Sequence, residues 1–488
     1  MLPAIKPLPT VLLRIDGKWL SPDDMAALNE IRVQQKLSLP TLTELYFQDP
    51  PGPLDAIRRI KPGTSLEITL ERFPEPLFVG EITAVEYIYD ARNQRQIYLR
   101  GYDPLHRLRK RQIPRRIEAN SFKTMAQTLV AGTGITEVKT PQAGLSHHHL
   151  LQHFQTDYDL LLDEAARNGL YPYVHKNILS FMTLDGQGTP IPLKLGESLI
   201  EARVETNTDA VCREVSAFGW DSTFARPFEA RVNRPRSGRN VAANRHGRSD
   251  SSRVLLNEAT LDLDSARSLA QAELDWREAT AVTFWGRAEG NTSLYPGTPI
   301  EVADLDAPFN GRYILTEAIH TLNTESGYTT ELSTTPPAPR QRPRSDIATF
   351  GVVLDVADPK KLARVQVTLP AFGGLKTDWI PVVIPGAGKN KGFITLPNID
   401  DTVLVILTRG SPAAGVVIGG LYGQQKMPED DVSLGHVHQF TWQTAGGQQI
   451  ILNDLGNVIR LDNKSGAYIE LNDGQITIAG KAIDFKST

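Results

Sequence analysis

Residues Gly446–Phe485 read GGQQIILNDLGNVIRLDNKSGAYIELNDGQITIAGKAIDF, and four aliphatic pairs of the form I-x-[LI] recur in them: Ile450 with Leu452, Ile459 with Leu461, Ile469 with Leu471, and Ile476 with Ile478. Strand side chains alternate with period two, so each pair shares one face of a strand. Asn453-Asp454-Leu455-Gly456-Asn457, Asn463-Lys464-Ser465-Gly466 and Asn472-Asp473-Gly474 separate the pairs with residues suited to tight reversals. The stretch reads as a meander of short strands. One thin sheet with eight aliphatics on one face has nothing to close against and does not stand alone. Three copies around one axis, each supplying a face, would merge the pairs into a continuous core and keep the outer faces polar. The tail is therefore expected to be one third of an intertwined, triple-stranded β-prism. With strands stacked roughly 4.8 Å apart, about five of them make a short, stiff rod about 20 to 25 Å tall. The alternative is an ordinary hairpin domain folded against the rest of its own chain.

Working outward, 488 residues are enough for two to four domains with ample cores. A hydrophobic content of 40% with 22% charged residues fits a soluble protein, and a formal charge of -4 argues against general binding to nucleic acid or anionic membrane. Cys212 is alone, so no disulfide forms within the chain, which fits assembly in a reducing cytoplasm. The start, Met1–Leu20, holds Pro3, Pro7 and Pro9 and lacks a basic segment followed by an apolar core, so no signal peptide is expected. No apolar run reaches the roughly 18 residues of a membrane-spanning helix. The expected location is a particle assembled in the cytoplasm and released or fired outside the cell.

The front region, 1–335, alternates like strands over residues 11–112. Helix signals follow: Ser121 capping Phe122, Met125 and Leu129; Thr156 capping Leu161, Leu162, Ala165 and Ala166, with Gly169 as a stop; and a stripe from Asp264 to about Thr280. The expected class is mainly β with an α+β front region. An internal echo sharpens it. Pro62-Gly63-Thr64-Ser65-Leu66-Glu67-Ile68 returns as Pro296-Gly297-Thr298-Pro299-Ile300-Glu301-Val302, and Phe78-Val79-Gly80-Glu81-Ile82 as Phe309-Asn310-Gly311-Arg312-Tyr313. Two similar β-barrels at about 1–112 and 200–335, with a helical insert between them, are expected, unless turn-rich strands look alike by chance. Three such chains would present six near-equivalent units. Asn233–Arg253 is rich in Arg, Asn, Ser and Gly; it reads as a solvated loop or, alternatively, a docking patch for an acidic partner. Pro336, Pro337, Pro339 and Pro343 mark a stiff linker over 336–346. Five strands then fit into residues 347–423, at Gly351–Val356, Arg364–Leu369, Trp379–Ile384, Val403–Leu407 and Val416–Gly420, as in a small OB-fold barrel. Basic residues barely outnumber acids there and the aromatics are scattered, so no nucleic acid is expected. Residues 424–445 form a neck and 446–488 the needle.

This order of parts resembles the VgrG-type spike proteins of contractile injection systems, which correspond to a fused hub and needle of phage tails. The resemblance rests on Gly101-Tyr102-Asp103-Pro104-Leu105-His106-Arg107-Leu108; on Asp157-Tyr158-Asp159-Leu160-Leu161 with Ala165, Ala166, Gly169 and Leu170; and on the barrel segments Asp378-Trp379-Ile380-Pro381, Gly386–Gly392, Pro397–Val405 and Val416–Tyr422. It implies a homotrimer whose partners are an inner tube protein, baseplate proteins, a PAAR-type tip protein and effector cargo. Two departures stand out. Gly410-Ser411-Pro412-Ala413-Ala414 replaces the Gly-Asp-Pro-x-Arg-Pro turn of many relatives, and the short neck leaves no room for the lysozyme-like domain of some phage needles. With nothing after Thr488, no fused toxin is expected, and the short tail leans toward a phage-like or extracellular particle.

No catalytic motif, cofactor site or metal-binding spacing stands out. Gly386-Ala387-Gly388-Lys389-Asn390 imitates part of a phosphate loop but lacks its first Gly and its final Ser or Thr, so a barrel turn is expected. Asp400 and Asp401 read as turn caps. His147, His148, His149 and His153 lie in a polar stretch. The pair His436 and His438 would point two imidazoles to one face, and six nitrogens on a threefold axis would suit an octahedral transition metal. Some phage needles bind iron with such a motif at the apex; here it precedes the prism, where ordinary neck residues are the other reading. The expected function is a structural trimeric spike that docks on tube and baseplate and punctures the target envelope, not an enzyme. The alternatives are a needle with cell-wall hydrolase activity, which predicts turnover of peptidoglycan, and a receptor-binding module, which predicts saturable binding to cells.

Overall fold

The computed structural model describes residues 9–48, 60–91, 95–118, 121–141, 150–221, 226–242, 251–256, 262–340, 346–408, 414–423, 425, 427, 432–433 and 435–486. The chain divides into a unit of Met1–Gly419 and a unit of Gly420–Thr488. The front unit is mostly β-sheet, and its centre is one eleven-stranded sheet. Its first half contains β1 (Val11–Ile15), β2 (Leu28–Lys36), β3 (Leu42–Gln48), β4 (Ser65–Leu70), β5 (Phe78–Tyr89) and β6 (Arg95–Tyr102). The second half of the front unit contains β7 (Ile191–Lys194), β8 (Leu199–Thr206), β9 (Val282–Glu289), β10 (Pro299–Ala303), β11 (Gly311–Ile314), β12 (Glu317–Asn323) and β13 (Gly327–Ser333); of these β8, β9, β12 and β13 belong to the eleven-stranded sheet, whereas β7, β10 and β11 form a separate three-stranded sheet. The strand order β2-β3-β6-β5-β4-β1 in the first half is matched in the second by β8-β9-β13-β12 in the large sheet and β11-β10-β7 in the small one, β12 and β11 together taking the place of β5. One difference is that β1 runs antiparallel to β4, whereas β7 runs parallel to β10.

The Pro-Gly turns of the echo have the same hydrogen bonds. Gly63 donates its N–H to Ile82 O (2.7 Å) and Ile82 donates to Thr64 O (2.8 Å); Gly297 donates to Leu315 O (2.6 Å) and Leu315 to Thr298 O (3.0 Å). Both glycines sit at positive φ, +97° and +92°, a region that side chains with a Cβ resist. Each half encloses its own core, Ile31, Val33, Leu45, Phe47, Ile68 and Leu99 in the first, Phe284, Ile300, Tyr313, Ala318 and Leu332 in the second.

All three expected helices form: α1 (Phe122–Val130), α2 (Asp157–Arg167) and α3 (Leu263–Thr280), capped by Ser121, Thr156 and Asp262. The segments named by the family resemblance are structural locks. The Asp103 carboxylate is buried and accepts from the backbone N–H of Thr41 (2.7 Å) and of Leu105 (2.9 Å); burial pushes its pKa up to about 6. His106 Nε2 lies 2.8 Å from Glu81. Asp157 is buried at the start of α2 and accepts from Arg111, Arg115 (2.8 Å) and Gln152 (2.8 Å). Arg340 ties the linker to α2 through Asp159 (3.0 Å) and Asp163 (2.7 Å).

Three expectations need correction. First, the second half does not run continuously from 200 to 335. It starts at Ile191 and is interrupted by a layer in which α3 packs on the sheet of Glu214–Asp221, Arg226–Val232 and Ser252–Leu255, with Val215, Ala217, Ala230, Ala266, Ala270 and Leu274 as its core. Second, Arg236 and Arg239 of the Arg-rich segment are held in ion pairs rather than free in solvent, while Asn233, Arg234 and Arg253 stay exposed as expected of a solvated loop. Arg236 pairs with Asp275 (2.7 Å), and buried Arg239 pairs with Glu278 (3.2 Å), because α3 turns both acids toward it. Gly238 passes so close to Asp185 O that a Cβ would sit 1.8 Å from it. Residues 243–250 lie outside the described residues, as do His147, His148, His149 and most of the Gly410–Ala414 turn. Third, in the OB region the strands Ile347–Asp355, Arg364–Leu369, Thr402–Leu407 and Gly415–Leu421 enclose Val353, Val365, Val367, Ile380, Val403, Val405 and Val417, but the expected strand Trp379–Ile384 shrinks to Ile380–Pro381. Pro381 and Pro385 lack the N–H groups a longer ladder needs. Asp401 accepts from Asn398 N–H (2.7 Å) as a turn cap, and Gly388 and Lys391 close a turn across the would-be phosphate loop.

Candidate assembly face

In the second unit, β14 (Gln439–Gln443), β15 (Gln449–Asn453), β16 (Val458–Asp462), β17 (Tyr468–Asn472) and β18 (Gln475–Ala479) form one antiparallel meander in chain order. The turns are those read from the sequence, with Asn457, Lys464, Asp473 and Gly474 at positive φ. Each inner strand bonds to both neighbours within the chain.

The register lines up the expected residues. Leu452 stands opposite Ile459, Ile459 opposite Leu471, and Leu471 opposite Ile476; beside this row, Ile450 faces Leu461, Leu461 faces Ile469, and Ile469 faces Ile478. Two residues the sequence reading assigned to the neck extend both rows. Phe440 is opposite Leu452 and Trp442 opposite Ile450, so the meander starts at Gln439, not at Gly446. The alternation of Gln439-Phe440-Thr441-Trp442-Gln443 was the available signal. Ten apolar side chains thus cover one face, directly opposed pairs of which lie within side-chain contact reach.

Within one chain this face is uncovered. Ile459 is 46% exposed, Trp442 55% and Ile476 68%; Ile450 is half-buried. Among the described residues, no hydrophobic side chain after Val417 is buried. The other face is mostly polar, with Ile451 and Val458 among Gln, Asn, Thr and charged residues, and Arg460 pairs there with Asp462 (2.7 Å) and Glu470 (3.0 Å) and lies 4.0 Å from the Tyr468 ring centre. The backbone N–H of Lys464, and then Arg460, hold the Asp462 carboxyl below the usual range. One face is tied by ion pairs within the chain, and the apolar face stays largely open to solvent.

His436 and His438 stand just before the meander with ring centres 6.2 Å apart, and His438 O accepts from Asp454 N–H (2.8 Å). Among the described residues, no group of three or more His, Cys, Asp or Glu side chains comes together in one chain as a metal site would require. Beyond the last strand, Ile483 and Phe485 are exposed, Phe485 by 86%. No described helix is long and apolar enough to cross a membrane.

Residues 53–324, more than half of the chain, match the family model described as the Alg8 N-terminal domain. Residues 349–422 match that of the type VI secretion system/phage-baseplate injector OB domain. No curated protein matches the chain by sequence. Solved structures with a similar fold include the half-lidded PdpA–VgrG complex of Francisella (TM-score 0.57, 9% identity, covering 96% of this chain and 87% of that one). A second is an Escherichia coli component of the type VI secretion system, described as structurally similar to the T4 bacteriophage tail proteins gp27 and gp5 (0.54, 13%, covering 84% and 99%). A third is the 43 kDa tail protein of prophage MuSo2 from Shewanella oneidensis (0.52, 15%, covering 66% and 96%). The fold is that of VgrG-type spikes, mostly β with a curled sheet and an OB domain.

Proposed function

The chain belongs to the Alg8 N-terminal domain family and carries an injector OB domain, and from this premise we propose that it is the homotrimeric central spike and hub of a contractile injection system. The observation that carries this reading is the bare apolar face of the tail, whose five strands already pair in one ladder within the chain and whose opposite face holds the Arg460 ion pairs. Three such faces turned toward one axis bury one another, and the hydrophobic gain of each Leu, Ile, Phe or Trp is then realised between chains. A stack of hydrogen-bonded strands around that core resists axial load, as a puncturing rod must.

In this reading the front unit docks on the inner tube and baseplate. Its two halves give three chains six similar elements with which to meet a sixfold partner. The exposed Ile483 and Phe485 seat a separate PAAR-type tip, and effector cargo travels on the assembled particle. The role is mechanical, not enzymatic. Replacing Ile459 and Ile469 together by Asp places six carboxylates in the shared core, and light scattering should then find single chains. Trimers that survive the double substitution would remove the tail as the clamp.

A further inference from the structure

The helical layers of the front unit leave a cleft of about 1120 Å³ between α2 and α3. α3 presents two apolar faces. Ala266, Ala270 and Leu274, spaced by four, pack on its own small sheet, whereas Leu269, Ala272 and Trp276, spaced by three and four, line the cleft. The facing wall is Leu162 and Ala166, about one turn apart on α2, with Leu170 just beyond its end. The walls meet where Gly169 passes Ala272 so closely that a Cβ on the glycine would lie 3.2 Å from the Ala272 Cα. The proline linker joins both helices. Trp276 Nε1–H donates to Pro337 O (3.0 Å), and three residues further on Arg340 pairs with Asp159 and Asp163 of α2. Fastened at both helices, this strap fixes the spacing of the walls.

The charges that line the cleft are matched within the chain, with one exception. Lys36 pairs with Glu317 (2.9 Å), Arg277 with Glu273 (2.7 Å) and Arg340 with Asp163 (2.7 Å). Arg253 has only Glu273 at 3.9 Å, and the same carboxylate oxygen already accepts from Arg277. The Arg253 side chain is 54% exposed, so an anion can reach it from solvent. Size sets the rest. Pockets for drug-sized ligands run to about 1,000 Å³, and this cleft is larger. An α-helix about 10 Å across fills roughly 420 Å³ per 5.4 Å turn, so the cleft takes roughly two to three turns. Walls built from helical ridges, with small Ala166 and Ala272 at their centres, are the kind of surface into which a third helix packs.

We propose that this cleft binds a short amphipathic helix of another protein, whose apolar stripe fills it and whose carboxylate pairs with Arg253. Recognition is of the helix-in-groove kind, in which apolar anchors give affinity and the flanking charge gives orientation. All the lining residues lie in the front unit of one copy, so the proposal is independent of the trimer.

Fluorescence anisotropy with the full chain tests it. The probe is a labelled synthetic peptide of about eleven residues, close to three turns, held helical by a side-chain lactam, with leucines at i, i+3, i+4 and i+7 and one Glu flanking that stripe. It should bind saturably. Arg253→Glu should weaken it about tenfold, because an ion pair becomes a like-charge contact, and a probe with Lys in place of Glu should reverse that preference. Ala272→Trp, which fills the cleft, should abolish binding of both probes. Circular dichroism checks that this variant folds, and Arg253→Glu, at an exposed side chain, decides the matter without it. A probe that fails to saturate, or that binds the parent and Arg253→Glu equally, would overturn the proposal. So would dodecanoate binding more tightly than the probe with the same dependence on Arg253, which assigns the cleft to an acyl chain.

Discussion

The front unit and the tail are built from the same kind of strand but bury it differently. In the front unit the strands enclose buried cores within the chain: two half-sheet cores, a helical layer on α1 and α2, another on α3, and the OB core. In the tail the ladder is as complete as any in the front, yet ten apolar side chains face outward. Hydrogen bonds alone contribute little net stability, because the unfolded chain makes them with water. What distinguishes a domain that folds alone from one that needs copies of itself is who covers the apolar face.

The sharpest way to break this contrast is to separate the parts. A chain ending at Tyr422 should keep a cooperative thermal transition and lose the trimer, while a fragment from Gly435 to Thr488 in dilute solution should show no stable strand signal by circular dichroism. A fragment folded as a single copy would erase the contrast. Within the front unit, Asp157→Ala leaves Arg111 and Arg115 facing an empty socket at the start of α2 and should lower front-unit stability by about 3–5 kcal/mol in denaturant titration, with the oligomeric mass unchanged.

Proton linkage gives a somewhat smaller effect. His320 is buried against Tyr328 (3.1 Å) and Thr330 (3.2 Å), and burial lowers its pKa to about 4. A depressed imidazole pKa means that the unfolded chain takes up the proton first. Its contribution is therefore intact above about pH 6.5 and lost as pH falls toward 4. Relative to His320→Gln, the parent should lose about 3 kcal/mol across that window. Asp103, raised to about 6, works in the opposite sense: its contribution is present below the ordinary carboxylate pKa and lost as pH rises through 6. Asp103→Asn should therefore steepen the parent's loss on acidification. The smallest effect belongs to the tail's outer face. Arg460→Ala removes two partly exposed ion pairs and should cost less than about 1 kcal/mol, with the trimer intact.

Much of this was legible in the chain. Eight of the ten face residues follow from period-two spacing between Asn, Asp and Gly turns. The echo was visible because a Pro-Gly turn with positive φ tolerates few sequences. Phe440 and Trp442 were missed because the longer turn Thr444–Gln448 separates their strand from the I-x-[LI] repeats and they are aromatic rather than aliphatic. The pairing of Arg236 and Arg239 was not legible, since it depends on Asp275 and Glu278 some 39 residues away. The same holds for the α3 layer, whose short strands join it from both sides of the Arg-rich segment.

The central claim, that copies of the chain cover the tail's apolar face, is tested most directly by sedimentation equilibrium of the unaltered chain at low micromolar concentration. The account predicts a single species at three times the chain mass of 53.9 kDa. A species at the mass of one chain, with amide exchange in Gln449–Ala479 as slow as in the front-unit cores, would contradict it.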